Sequence, residues 1–156
     1  MSPEPHLVES RADHPPALAL FAIQERELMQ RYGSDTTGPR PAADDPVLLL
    51  YLGAEALGCV AVSHDGEIGE IKRMFVEKSA RGRGLSRILL AGAEDLARRL
   101  GVETLRLETG TEQPEAMNLY AGSGYTPIPG YGYWKDSPST RCFEKRLVPE
   151  NASPST

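Results

Sequence analysis

The sequence predicts one mixed α/β (α+β) domain whose sheet is mostly antiparallel, with a single parallel crossover and flanking helices. Three observations predict it. Apolar runs at 47–52 and 57–63 are separated by four small or polar residues, the mark of an antiparallel hairpin. Between Ile68 and Thr109 the apolar period passes from strand to helix and back to strand, a βαβ pattern whose two strands must run parallel. The 156 residues are 40% apolar and 25% charged, a size and balance that suit one packed core. The reading places that domain at 1–148, with 149–156 as a tail.

Each element has its own local reason. His6 to Ser10 reads as a short first strand. Pro15 and Pro16 are suited to a helix start, and Leu18, Phe21, Ile23, Leu28 and Met29 continue the helix until Gly33 stops it. Ser34 to Pro46 is rich in Gly, Pro, Asp and Thr and reads as a surface loop. Val47–Leu52 and Leu57–Ser63 form the hairpin around Gly53 to Ala56, and His64, Asp65 and Gly66 turn the chain into a strand at Ile68–Val76. After the polar loop Glu77–Gly84, Leu85, Leu89, Gly92, Leu96 and Leu100 share one helical face. On that helix Glu94 with Arg98, and Asp95 with Arg99, are expected as i,i+4 pairs on the solvent side. Gly101 ends it, Thr104–Thr109 alternates as a strand, Pro114–Gly122 is a further helix, and two short strands follow Tyr125 as a closing hairpin ending at Leu147.

Charge and composition exclude several classes of function. Lys plus Arg number 17 against 22 Asp plus Glu, a net of -5 that gives no overall field for nucleic acid or anionic lipid. No apolar run is long enough to span a membrane, and Met1 to Glu9 lacks the basic start and apolar stretch of a signal peptide, so a cytoplasmic location is expected. Cys59 and Cys142 lie in apolar strand segments and read as small buried hydrophobes. His6, His14 and His64 have no metal-ligand spacing, so no metal is expected.

The segment Ala80 to Ser86 reads Ala, Arg, Gly, Arg, Gly, Leu, Ser between a strand and an amphipathic helix. Successive N–H groups of a glycine loop make an anion nest, and the following helix adds positive charge at its start. A pyrophosphate suits it, with Arg81 and Arg83 as partners. A dinucleotide fingerprint would need a small residue where Arg87 stands, and a P-loop would need Gly-Lys-Ser or Gly-Lys-Thr. Neither occurs.

Arg81, x, x, Gly84, x, Ser86 resembles the Q/R-x-x-G-x-G/A signature of the GNAT superfamily of N-acetyltransferases, with Ser86 departing at the last position. Ala116, x, x, x, Tyr120, x, x, x, Gly124, Tyr125 is similar to that family's A-x-x-x-Y-x-x-x-G-F/Y segment, with Gln113 where an Asn is usual. Gly69 to Lys72 and Leu107 to Gly110 also look like a bacterial branch of small GNATs. The resemblance implies a bent sheet splayed between its two parallel strands, with acetyl-CoA in the cleft. Its pyrophosphate would lie on Arg81, Gly82, Arg83, Gly84, Leu85 and Ser86, and its pantetheine arm along Met74, Phe75 and Val76 and near Gln113.

The resemblance further implies acetyl transfer to the amine of a small molecule or peptide. A lysine-like amine has a pKa near ~10.4, so a base must take its proton. Glu70 is the candidate, although Glu67, Glu70 and Lys72 equally fit a wet strand face. Glu108 is the rival base, or else it holds the substrate or pairs with Arg106 or Lys72. Tyr120 matches the family tyrosine that protonates the leaving thiolate, and a main-chain N–H near Phe75 or Val76 would polarise the carbonyl. Tyr131, Tyr133 and Trp134 crowd the closing hairpin and suit an acceptor site or a homodimer contact. Tyr32, with Asp44 and Asp45 of the long loop, is expected to face the same opening. A non-catalytic acyl-CoA sensor or partner domain is the alternative function.

Overall fold

The computed structural model describes residues 4–33, 38–111, 113–132 and 135–147. The elements in chain order are β1 (Pro5–Arg11), α1 (Pro15–Tyr32), β2 (Pro46–Leu52), β3 (Glu55–Asp65), β4 (Ile68–Val76), α2 (Leu85–Arg99), β5 (Thr104–Gly110), α3 (Pro114–Gly122), β6 (Thr126–Ile128) and β7 (Thr140–Arg146). They build one seven-stranded sheet in the order β1-β2-β3-β4-β5-β7-β6, with β4 and β5 parallel and every other neighbouring pair antiparallel. The mixed fold and its crossover are as the sequence predicts. The β2–β3 hairpin is tighter than expected: Leu52 pairs with Glu55, so Gly53 and Ala54 alone make the turn.

Strand alternation fills two cores, one on each face of the sheet. Leu48, Leu50, Val60, Val62, Ile71, Leu105 and Leu107 meet Leu85, Leu89, Ala93 and Leu96 of α2. Val47, Leu49, Cys59, Ala61 and Phe75 meet Ala17, Leu20 and Phe21 of α1 on the other side. Both cysteines are free and buried, and burial pushes the Cys59 thiol up to about 12, which keeps it an inert thiol.

The expected solvent pairs on α2 do not form. Glu94 is 8% exposed and accepts hydrogen bonds from the Tyr125 hydroxyl (2.8 Å) and from Lys145 Nζ (3.1 Å). Arg98 pairs with Asp95 three residues away, and Arg99 pairs with Glu9 of β1. For Glu94, the partner brought by β7 outcompetes the helix neighbour because a half-buried pair is less screened by water than an exposed one, whereas the Arg99–Glu9 pair is itself exposed.

Two irregularities of β4 shape the site. β4 pairs with β5 from Ile68↔Thr104 to Ile71↔Leu107, and beyond that point no further pair joins the two strands, so their ends splay. On its other edge β4 carries a bulge: Lys72 pairs with Ala61 and Phe75 with Cys59, three steps of β4 against two of β3. Arg73 sits in the bulge at φ 57°. A left-handed conformation costs a non-glycine residue about 1–2 kcal/mol, so the surroundings must hold it there. Its guanidinium is 5% exposed, donates to Glu25 (2.9 Å) and to the Gly38 carbonyl (3.1 Å), and stacks 5.7 Å from the Phe21 ring.

Candidate active site

The splay opens a cleft of about 790 Å³ between the ends of β4 and β5, floored by Ile71–Val76 and Glu108–Gly110. One end is the glycine loop. Gly82 and Gly84 take φ 83° and 75°, conformations that glycine adopts without strain, and Gly84 leads into α2 with no side chain capping the first turn. The N–H groups of that turn are therefore open to an anion. A Cβ at either glycine would meet nothing within 4 Å, so the glycines serve backbone shape and approach, not packing. Arg83 and Arg87 are exposed, and Ser86 lines the cleft.

Arg81 lines the cleft, and its side chain is also held by the protein. Its Nε donates to the Val76 carbonyl (2.9 Å), its terminal nitrogen grips Glu27 of α1 (2.7 Å), and the guanidinium lies 5.6 Å from the Phe75 ring. The side chain thus ties the loop to β4 and α1. Met74 gives its carbonyl to Gln24 Nε2 (3.4 Å), while Phe75 and Val76 are 7% and 6% exposed. Gln113 precedes α3 and lines the cleft, as does Tyr120. The Tyr120 ring packs edge-on to Tyr125 (5.9 Å) and against Phe143 (6.3 Å). Burial raises its hydroxyl pKa, so it remains a proton donor at neutral pH.

The other end holds the two carboxylates. Ile71, Leu105 and Leu107 lie in the α2 core, so alternation turns Glu70, Lys72, Arg106 and Glu108 to the opposite face. Glu70, Lys72 and Glu108 line the cleft together. Burial raises the Glu70 carboxyl above its ordinary value, against lowering by Lys72, the Tyr131 hydroxyl and Arg106. Burial first, and then the charge of Glu70, push Glu108 up to about 7, opposed by Lys72. One Glu108 oxygen and the Tyr131 hydroxyl are buried without a completed hydrogen bond, although the tyrosine lies near enough to act on both carboxylates. Arg106 goes to Glu144 (3.5 Å) and the Tyr131 ring (5.5 Å) instead of to Glu108. Glu70 is half-buried and faces the cleft, whereas Glu67 of the same expected face is exposed.

Tyr32 lines the cleft from the end of α1, and its hydroxyl occupies the space that a Cβ on Gly110 would take. Asp45 instead accepts the Ala42 N–H (3.0 Å) in its own loop, and neither Asp44 nor Asp45 lines the cleft. Tyr133 and Trp134 lie outside the described residues. Among the described residues no group of His, Cys, Asp or Glu could hold a metal ion, and no helix is long and apolar enough to cross a membrane. Sequence reasoning missed Gln24, Glu25 and Arg73. Gln24 had a signal, a polar residue at core-facing spacing after Leu20 and Phe21.

Comparison with known proteins agrees with this geometry. An "IAA acetyltransferase" of Azospirillum brasilense is 39% identical over 90 residues, 58% of this chain and 59% of that protein. A "Mycothiol acetyltransferase" of Beutenbergia cavernae is 36% identical over 89 residues, 54% of this chain and 30% of that protein. The chain therefore spans less than two thirds of either relative. A solved structure from Klebsiella pneumoniae, assigned to the acyl-CoA N-acyltransferases, superposes with a TM-score of 0.79 at 27% identity, covering 92% of this chain and 98% of that one. A GNAT acetyltransferase of Elizabethkingia anophelis with acetyl-CoA bound shares the fold at a TM-score of 0.69 and 19% identity, covering 92% and 98%. The model of the acetyltransferase (GNAT) family matches residues 12–125, most of the described fold with both strands of the splay, the glycine loop and Tyr120, and the chain belongs to that family.

Proposed function

We propose that the protein is an acetyl-CoA-dependent N-acetyltransferase that acts on a primary amine of a small molecule or peptide by direct attack on the thioester. The observation that carries this reading is one continuous cleft with an uncapped glycine loop at one end and a pair of half-buried carboxylates at the other. The first end suits a pyrophosphate and the second an amine that must lose a proton. The cleft between them is floored by apolar strand residues, which suits the arm of the cosubstrate.

The loop 82–86 would hold the pyrophosphate on its backbone N–H groups, and Met74 to Val76 would lie along the pantetheine arm. Acetyl-CoA supplies the activated acyl group. Glu70, on the strand that floors the cleft, takes the proton that the attacking nitrogen sheds, with Glu108 beside it as the second carboxylate of the cleft. A main-chain N–H at Phe75 or Val76 meets the carbonyl oxygen as charge develops there. Tyr120, kept protonated by its buried site, returns a proton to the departing sulfur. Free CoA and an acetamide leave.

A screen of small amines, amino acids and peptides with acetyl-CoA, read as release of the CoA thiol, tests the reading. At least one amine should release thiol in proportion to acetylated product. Binding of acetyl-CoA with no turnover on any amine would favour an acyl-CoA sensor instead.

A further inference from the structure

The core-facing stripe of α1 reads Ala17, Leu20, Phe21 and Gln24, so a carboxamide stands where the packing asks only for an apolar side chain. Gln24 is 8% exposed. Its Nε2 donates to the Met74 carbonyl at 3.4 Å, which fixes the orientation of the amide, while Oε1 is buried with no hydrogen-bond partner. Neighbouring Arg73 gives donors to Glu25 and Gly38 and leaves this oxygen unmet. An unsatisfied buried carbonyl is a destabilising feature that a leucine would avoid. Gln24 lines the cleft at the innermost of the strand positions Met74 to Val76, the end farthest along the chain from the glycine loop and nearest Glu70.

Resting on the acetyl-transfer reading, we propose that Gln24 Oε1 accepts one N–H of the attacking amine and restricts the acceptor to primary amines. A neutral primary amine carries two N–H bonds and one lone pair. At this position one N–H points to Gln24, the lone pair points to the thioester carbon, and the second hydrogen is the one that the carboxylate pair removes. Attack forms the new C–N bond and breaks the C–S bond, with the proton leaving to the carboxylate and the sulfur taking one from Tyr120. A secondary amine has a single N–H, which cannot serve both groups in the neutral state. Gln24 thereby sets specificity as well as orientation.

The test compares the parent with Gln24→Leu and Gln24→Met, two apolar replacements of similar volume, with Gln24→Glu retaining an acceptor oxygen. The expected result with a primary amine found by the screen is a loss of 10- to 100-fold in kcat/KM for the amine in the Leu and Met variants. The acetyl-CoA affinity and the melting temperature should not fall, and the Glu variant should recover part of the rate. The preference of the parent for the primary amine over its N-methyl counterpart should shrink in the Leu and Met variants. An unchanged amine kcat/KM in both, or an equal loss for the primary and N-methyl amines, overturns the proposal. A weakened acetyl-CoA dissociation constant with amine kinetics intact also overturns it, since Gln24 would then serve the arm or the Met74 strand. Should Gln24→Leu fold poorly, Gln24→Met decides the matter alone. A parent that turns over no amine at all instead removes the acetyl-transfer reading on which this one rests, and this one with it.

Discussion

Replacing Glu70 by Gln should lower the proton affinity of Glu108, and replacing Lys72 by Met should raise it. Both signs follow from what surrounds Glu108: burial and the Glu70 charge push its carboxyl up to about 7, and Lys72 opposes them. With a midpoint near that value, a tenth of Glu108 is ionised one pH unit below it and nine tenths one unit above. If the ionised form is the active one, the rate rises with pH, and at pH 6 it should stand about tenfold below its plateau. Stability should move the other way. A carboxyl whose folded pKa exceeds its unfolded value near ~4.3 loses stabilisation as pH rises from there through about 7, and after discounting for partial exposure this is about 1 kcal/mol. The direct assay is a carbon NMR titration of the glutamate carboxyls, which needs no acceptor. A Glu108 midpoint within the ordinary carboxylate range in the parent would refute the account of the site. So would a midpoint unmoved by Glu70→Gln.

Three further outcomes are expected. Gly84→Asp should abolish the thermal shift that acetyl-CoA gives the parent, about 2.7 kcal/mol at a hundredfold excess over its dissociation constant and about 5–11 °C in a domain of this size. Aspartate at this left-handed position costs about 1–2 kcal/mol of backbone strain, but a Cβ there meets no atom within 4 Å, so the apo fold should persist with a modestly lowered circular dichroism melt. Tyr120→Phe keeps the ring packed on Tyr125 and Phe143 and should lower kcat about tenfold, with the acetyl-CoA dissociation constant unchanged in calorimetry. Glu25→Gln should destabilise the fold by about 2–3 kcal/mol at neutral pH, measured by urea unfolding, because it leaves Arg73 buried without its carboxylate. Arg40 first, and Arg73 after it, hold the Glu25 carboxyl down at about 2, so this contribution is present above about pH 4.5 and is lost as pH falls toward 2.

The parts of the fold that were legible in the sequence are those fixed by local period. Leu85, Leu89 and Leu96 repeat with a helix, Leu105 and Leu107 with a strand, and the parallel pairing follows from their order. Glu94 was misread because its partners, Lys145 and Tyr125, lie 51 and 31 residues away and no local spacing reveals them. The bulge at Arg73 was hidden for a related reason. One inserted residue leaves Ile71 and Val76 in the same core by shifting the alternation between them, and the sequence shows only that a cation stands in an apolar run. At the glycine loop the backbone was legible from Gly82 and Gly84. The side chain of Arg81 was not, since Glu27 and Val76 claim it.

The seam between β4 and β5 divides the molecule unequally in mechanical terms. Four residue pairs, Ile68↔Thr104 to Ile71↔Leu107, join a four-stranded N-terminal meander to a three-stranded C-terminal unit, with α2 lashing the two across one face. The splayed ends carry complementary parts of a single site: Met74, Val76 and the glycine loop on one jaw, Glu108, Gln113 and Tyr120 on the other. A molecule seated there completes the sheet edge that the strands leave open and acts as a brace between two partly independent jaws. Binding there would tie occupancy to stiffness, because the contacts that hold the molecule would also join the two parts of the sheet.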